Sequence, residues 1–571
     1  MMDETLTCDV LILGSGGAGL MAALHAYDTD PRLHIVLVAK GLVGKSGCTR
    51  LVQGGFNAVL HPADSVELHF RDTIRGGQFL NNQELAWELV TGAPRVIHEL
   101  ETKVGCFFDR GPDGRIHQKP FAGQSFDRTV HRGDLTGIEI VSRLHDQLFA
   151  RGITFLDETR AVALVPALAG DRIAGVLLVD QRSGRFTLAR AKVVVLATGG
   201  GPRMYKYSAP ALEKTGDGYA LAYRAGAVLI DMEMMQFHPT GLLAGASRLS
   251  GMVLEEGLRG AGGRLYNAQG ERFMARYDPE RLERSTRDVV ARASYLEIMA
   301  GRGTPAGGVL LDVSHLGAEF VRRSFPGMVR RCAEVGYDLT RGPVEVTPTA
   351  HFHMGGVKID RHCRCNLPGL LVAGEDAGGI HGANRLGGNG VADSTVFGAR
   401  AGETAAALCA ELPLATVDLA AARAAQETAL RPLGREGENP FALRDALQTV
   451  MWERVGLARD AAGLRAALAT LAELAERAER TGVRGGPRWN LAWQQALDVQ
   501  NLVLVARLTA AAALYREESR GSHYRRDFPA RDDARWLVNV HQQQQQGTAE
   551  RIWDEPVALT RLRPESEVAV R

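Results

Sequence analysis

The chain has 571 residues, about four times the ~150 that serve as a prior for one domain, and its 45% hydrophobic and 23% charged residues exclude wholesale disorder and a disulfide-stapled miniprotein. Lys+Arg is 67 and Asp+Glu 66, so a net charge of +1 supplies no field to draw the protein to nucleic acid or an anionic membrane. Seven scattered cysteines fit a reducing compartment, and glycine is the outlier at 65 residues, about 11% against a usual ~7%.

The opening MMDETLTCDVLILGSGGAGL is acidic before its apolar run and lacks the basic start of a secretory signal. Asp9 to Leu13 reads as a buried strand, followed by Gly14-Ser15-Gly16-Gly17-Ala18-Gly19, a helix-like LMAALHAYD and a second strand over Leu33–Ala39. A G-x-G-x-x-G alone is weak. Strand before and helix after make it a βαβ dinucleotide fingerprint, with glycines that let backbone N–H groups approach a pyrophosphate. An NAD-type fingerprint ends its second strand in an acid for the ribose, whereas this one ends in Ala39-Lys40.

Further along, KVVVLA (192–197) runs into Thr198-Gly199-Gly200-Gly201, and LLVA (370–373) into Gly374-Glu375-Asp376. Each alone is an ordinary strand-to-helix turn; three in order favour FAD. From about Gly241 to Thr347 the pattern is mixed and Gly-rich, as expected of an inserted domain. Beyond Pro413 the composition shifts to Ala, Leu, Arg and Glu, and LRAALATLAELAERAER has helical spacing. No apolar run reaches ~18 residues, since even NLVLVARLTAAAALY carries Arg507. The tail after Arg525 has no clear period, and Gln542–Gln546 reads as an exposed loop. Cys363 and Cys365 form the one close cysteine pair and lack a second pair to complete a zinc site or iron–sulfur cluster, so no metal is expected.

Four polar clusters sit among glycines: residues 234–241, 255–260, 349–356 and 381–389. A single histidine is usually a satisfied polar group. Together these clusters place His and Arg beside backbone that a ligand can approach closely, which suits a small carboxylate.

QFHPTG (236–241), PTAHFHMGG (348–356), HGANRLGGN (381–389), STRDVVAR (285–292), QKPFAGQ (118–124) and EESRGSHYRRDFPARDDARWL (517–537) resemble the signature segments of the succinate dehydrogenase and fumarate reductase flavoprotein family, which includes L-aspartate oxidase. The similarity spans roughly residues 8 to 540, in the family's order. It implies an α/β fold: a Rossmann-like FAD-binding domain (1–240 and 348–412), an inserted α+β capping domain (241–347), a helical domain (413–525) and a tail (526–571). It implies hydride transfer between flavin N5 and a CH–CH or CH–NH bond of a dicarboxylate or related carboxylic acid. His238, His351 and Arg385 would hold substrate carboxylates, Arg287 would donate or accept the proton, and Glu256 would relay it, since an arginine with a pKa above ~12 needs a partner. The implied cofactor contacts are Gly14, Ser15, Gly16, Gly17, Ala18, Gly19, Lys40, Ser46, Cys48, Thr49, Gln53, Gly54, Gly55, Thr198, Gly199, Asp217, Glu375, Asn389, Gly390 and Val391.

Three departures stand out. Where respiratory members carry a flavin-linking histidine five residues before Gln-Gly-Gly, this chain has Cys48; non-covalent FAD is expected, with a cysteinyl link as the other reading. Where members show Thr-Glu-Gly or Thr-Glu-Ala, it has Glu255-Glu256-Gly257, and an ionised Glu255 would repel a carboxylate unless protonated, turned away or paired, or would instead meet a substrate amine or polar substituent, so a substrate other than plain succinate is expected. Gly390 stands where members commonly have serine. The tail also lacks the basic end associated with docking an iron–sulfur subunit, so a soluble, cytoplasmic enzyme is expected. The flavoprotein subunit of a succinate:quinone or fumarate reductase complex, an L-aspartate oxidase and a non-catalytic flavin-bearing scaffold are the alternatives.

Overall fold

A computed structural model describes residues 4–544 and 550–564. Its central sheet runs in the order Thr154–Leu156, Ile35–Val38, Glu4–Leu13, Phe186–Leu196, Ile173–Asp180 and Thr159–Pro166. The first four strands are parallel and the last two pairings antiparallel. Leu370–Val372 adds in parallel to the far end of Phe186–Leu196. The runs Val10–Leu13, Ile35–Val38 and Val193–Leu196 are wholly apolar because parallel strands bury both faces.

The helix Gly17–Thr29 leaves the first strand at Gly14, whose φ of 110° and carbonyl neighbour exclude any side chain: a Cβ there would lie 2.1 Å from the Ala197 oxygen. This helix packs closely on the helix Asn389–Glu411. A Cβ at Gly398 would lie 2.5 Å from the Ala18 oxygen and one at Gly402 2.3 Å from that of Ala22, so small residues set the crossing distance. Much of the glycine excess serves such contacts of backbone on backbone. Gly355 and Gly356, read from sequence as ligand-facing, instead abut the carbonyls of Asp231 and Asp376.

A second, separate apolar core lies under the antiparallel sheet Met235–Leu242, Val344–His353, Val309–Asp312 and Arg264–Tyr266. Its two longest strands cross positions 240 and 348 as one pair. The carboxyl-terminal helices Leu419–Leu430, Pro440–Arg454, Ala461–Glu479 and Leu491–Tyr515 each start on a capping side chain, Asp418, Asn439, Asp460 and Asn490, that accepts from backbone N–H groups of the first turn. The last is long and apolar enough to cross a membrane, but 67% of its most apolar window is buried within the protein, as befits a helix apolar on all sides.

The tail departs from its sequence reading. Val538–Gln543 and Arg551–Pro556 form a hairpin that pairs with Leu229–Ile230, a partner some three hundred residues away that no local period could reveal. Gln542 is buried in that strand, its amide donating to the Leu508 carbonyl at 3.0 Å, so the glutamine run begins as strand; Gln545 and Gln546 lie outside the described residues.

The segment 516–525 is also structural. Arg516, fully buried, pairs with Glu233 at 2.7 Å, Glu518 at 3.1 Å and Asp231 at 3.5 Å, which ties the end of the long helix to the turn preceding Met235–Leu242. Cys363 and Cys365 are free thiols, donating to the carbonyls of Phe397 and of Leu367 and Leu370.

Candidate active site

One large cavity, about 1870 Å³ with its open mouth included, runs from the start of helix Gly17–Thr29 to the antiparallel sheet. Its near half is walled by Gly14 to Ala18, Ala39 to Gly41, Ser46 to Thr49 and Thr198-Gly199, with Asp217 and Glu375 behind them. Its far half brings together His238, Glu255, Glu256, Arg287, His351 and Arg385, drawn from segments as distant as 238 and 385.

The near half is a cradle of backbone and hydroxyls. The helix starts at Gly17 with no side-chain cap, and the Gly17 N–H donates to Thr49 Oγ1 at 2.9 Å. A Cβ on Gly47 would meet nothing nearer than the Gly16 Cα at 4.0 Å, so an open slot separates loop from helix start. A slot of this kind at a helix N-terminus suits a pyrophosphate. Lys40 reaches into this wall, but Thr215 (2.7 Å), Asp217 (3.0 Å) and Asp498 (2.5 Å) accept from its Nζ. Arg160, buried alongside, donates to Asp217 at 2.8 Å and Asp498 at 2.7 Å. The lysine that ends the second strand is thus paired with acids from elsewhere in the chain. Burial alone would raise the Asp217 carboxyl, but Arg160 and Lys40 outweigh it and hold it low.

At the third strand turn, Asp376 accepts from Thr198 Oγ1 at 3.0 Å and the Gly199 N–H at 3.2 Å, fixing the turn, while Glu375 faces the cavity paired with Lys214. Cys48 opens to the cavity from a deep position, and burial pushes its thiol up against the opposing pull of Lys214. Gln53, Gly54, Gly55, Ser46, Gly390 and Val391 also line the cavity. A Cβ on Gly390 would lie 3.0 Å from Arg385 Nη1 and 3.4 Å from the Phe352 ring, so the missing serine gives the arginine room.

Two expected cofactor contacts are not on the wall. Gly19 packs against the strand before it, where a Cβ would lie 1.8 Å from the Gly14 oxygen. Asn389 points inward: its Oδ1 accepts from Asn57 at 2.7 Å and meets His69 Nε2 at 3.1 Å, and its Nδ2 donates to Thr73 at 3.1 Å. The orientation of the helix it begins, not its motif, decides this. Among the clustered histidines, His353 contacts the Met232 carbonyl and His381 contacts Asp393, each through Nε2, and neither lines the cavity, while the Nδ1 of each has no partner among the described residues.

In the far half, Arg287 begins the helix Arg287–Glu297 and donates through Nε and Nη2 to a single oxygen, Glu256 Oε2, the first at 2.7 Å. Burial tends to raise the Glu256 carboxyl, but Arg287 and Arg259 outweigh it and keep it ionised below the usual range. Arg259 lies 3.8 Å behind Glu256 Oε1, completing an Arg–Glu–Arg line from cavity to interior. Gly387 makes space for this pair, since a Cβ there would fall 2.9 Å from Glu256 and 3.0 Å from Arg287. Arg385 lies 4.4 Å over the Phe352 ring, its Nε without a partner among the described residues. Burial, reinforced by the Arg287 charge, pushes it down to about 9.

His238 and His351 face each other with ring centres 5.5 Å apart. Burial and the Arg287 guanidinium drive both well below the ordinary histidine range, so they are neutral hydrogen-bonding groups. The Thr240 N–H donates to His238 Nδ1 at 3.3 Å, which leaves the proton on Nε2. The positive charge that would polarise a substrate therefore resides on the two arginines.

Residues 9–391 match the family described as FAD binding domain, and residues 444–569 the one described as Fumarate reductase flavoprotein C-term. The chain belongs to the succinate dehydrogenase and fumarate reductase flavoprotein family. This flavoprotein is 44% identical over 539 residues to an uncharacterized FAD-dependent oxidoreductase of Methanocaldococcus jannaschii, covering 93% of this chain and 95% of the relative. It is 43% identical over 533 residues to a subunit of the CoM/CoB fumarate reductase of Methanothermobacter marburgensis, covering 93% and 96%. A chain of E. coli quinol fumarate reductase superposes with a TM-score of 0.92 at 33% identity, covering 98% of each. The flavoprotein is an FAD-dependent oxidoreductase acting on a dicarboxylate. The uncapped helix start, the open slot at Gly16 and Gly47 and the hydroxyl-rich loop fit the pyrophosphate and ribityl parts of that cofactor.

Several site residues of the flavoprotein escape a reading by motif. Gln236 lies between the arginines: its Oε1 accepts from Arg287 Nη1 at 3.3 Å and Arg385 Nη2 at 3.1 Å, while its Nε2 donates to Asn384 at 2.8 Å and the Arg385 carbonyl at 2.7 Å. It sits in QFHPTG, where the histidine draws the eye. Lys119 and Phe121 lie in QKPFAGQ and reach the site only through the fold, and Lys214, Arg160 and Arg331 carry no sequence signal.

Proposed function

We propose that this chain interconverts a saturated dicarboxylate and its unsaturated partner, holding one substrate carboxylate by Arg385 and His351 and the other beside His238. The observation that carries this reading is the Arg287–Glu256–Arg259 line ending in the cavity. Bound FAD supplies the two-electron chemistry, taking up or giving a hydride at a substrate carbon. The protein supplies charge and a proton. Arg385 and Arg287 draw density toward the carboxylates, stabilising the charge that develops there during transfer. A guanidinium N–H of Arg287 delivers the proton to the neighbouring carbon, and Glu256, which accepts from Nε and Nη2 through Oε2, returns one to Arg287 after taking it up at Oε1, the oxygen that faces Arg259 at 3.8 Å. In the oxidative direction the same atoms carry the proton inward. Phe121 and Phe352, both on the wall, limit water around the reacting carbons.

Two relatives are themselves parts of larger enzymes: one is a subunit of the fumarate reductase of Methanothermobacter marburgensis, the other the flavoprotein subunit of 8-methylmenaquinol:fumarate reductase in Wolinella succinogenes. They favour a chain that exchanges electrons with a redox-partner subunit over one that works alone. The test is anaerobic. Succinate should bleach the flavin, or fumarate should reoxidise the reduced flavin, and an iron–sulfur protein should co-purify; a flavin inert to both acids overturns the reading.

A further inference from the structure

Glu255 is the residue of the cavity wall that the reaction just described leaves unexplained. It is 2% exposed, adjacent to Glu256 at the entry to the short helix Gly257–Gly260, and on the wall that holds His238 and Arg287. Resting on the dicarboxylate reading, we propose that Glu255 is a specificity-determining residue for the substrate carboxylate beside His238, carrying its own proton and donating it as a hydrogen bond where the family's signature has a threonine hydroxyl.

Three observations support this. First, the carboxyl is half satisfied: Oε1 lies 3.4 Å from Lys119 Nζ, whereas Oε2 is buried with no hydrogen-bond partner among the described residues. An ionised carboxylate with a bare buried oxygen is costly, while a carboxylic acid bears a donor that seeks an acceptor. Second, the cation in contact among the described residues is shared and its bond is long, since Lys119 Nζ lies 3.4 Å from Oε1 and also donates to the Gly133 carbonyl at 3.2 Å. The charged groups facing Glu255 are Lys119, Asp134, Glu256 and Arg331, two of each sign. Burial then dominates, and with Asp134 and Glu256 it pushes the Glu255 carboxyl up despite Lys119. Third, the site must accept two negative groups. An ionised Glu255 would oppose the second, whereas a neutral carboxylic acid in an apolar setting donates to it.

The residue therefore reads a carboxylate at this end of the substrate, and it does so in one protonation state. Binding should be tight while Glu255 is protonated and weaken as pH rises through its raised value, because the acid becomes a carboxylate facing another.

The experiment compares the flavin-loaded full chain with Glu255→Gln, Glu255→Ala and Glu255→Thr, using succinate and fumarate against the monocarboxylates butyrate and crotonate over pH 5.5 to 9. Gln keeps a donor and Thr keeps a hydroxyl. Both should hold KM within about threefold of the parent, and Gln should flatten the rise of KM with pH. Ala should raise KM for the dicarboxylates about ten- to a hundredfold with little change in kcat, and shrink the preference over monocarboxylates. Flavin content and Tm of each variant control for folding. The proposal is overturned if Gln loses as much as Ala, or if the parent prefers aspartate or malate and Gln removes that preference, since then an ionised Glu255 accepts from the substrate. It also falls if the parent is inert to both dicarboxylates, an outcome that removes the functional reading itself.

Discussion

Gln236→Met removes the amide that joins the two arginines while conserving length and buried volume. Oε1 accepts from Arg287 at 3.3 Å and Arg385 at 3.1 Å, and both bonds are long. At the low end for hydrogen bonds to charged groups, about 1.5 kcal/mol each, their joint loss amounts to about 3 kcal/mol. That corresponds to roughly a hundredfold in kcat/KM if both arginines are misplaced at the moment of transfer. The loss should divide between parameters. Arg385 holds the substrate and Arg287 moves the proton, so KM should rise and kcat fall together. Gln236→Glu separates them: a carboxylate there keeps both guanidinium groups in place but competes with the substrate for their charge, so KM should rise with kcat nearly retained. Steady-state fumarate reduction with a reduced dye, on protein matched for flavin content and Tm, measures both. If Gln236→Met keeps kcat/KM within threefold of the parent, Gln236 does not position the arginines and other contacts hold them.

Three further outcomes are expected. Because burial holds His238 and His351 neutral, KM for succinate should be flat with pH between 6 and 8 in the Glu255→Gln background; a histidine-like limb near pH 6.5 would contradict this. Because the Cys48 thiol is pushed up by burial, the flavin should leave the denatured protein, and Cys48→Ala should retain FAD on purification; flavin that stays with the denatured wild-type chain and leaves with the variant would establish a thioether instead. Arg516→Ala leaves Glu233 buried without its cation, while Glu518 keeps its pair with Arg520; the loss of about 3–5 kcal/mol should lower Tm sharply while the folded fraction keeps its KM, and an unchanged Tm would show that the buried network is not holding the helical part to the sheet.

The local parts of this protein were legible in order along the chain. Gly14 to Gly19 between an apolar strand and a helix is a short-range pattern, and so are the helical run LRAALATLAELAERAER and the polar clusters that contain His238, His351 and Arg385. A residue's chemical type and its immediate spacing determine these, so sequence suffices. Which face a side chain turns to is another matter. Asn389 belongs to a cluster that enters the site, yet it bonds Asn57 and Thr73 inside the protein, because the start of its helix rotates it away from the cavity. The neutrality of the two histidines depends on burial beside Arg287, which begins a separate helix. Lys40 lacks a local acid and finds Asp217 and Asp498 across the fold. Glu255 was conspicuous as a misplaced charge from the sequence; only packing left one of its oxygens bare and gave the other Lys119. Composition and short spacing thus determined the dinucleotide-type turns and the polar clusters, and the resemblance of those clusters to the family's signature segments implied the chemistry and most of the residues. The tertiary structure decided their charges, partners and orientation, because these depend on which distant groups exclude water together.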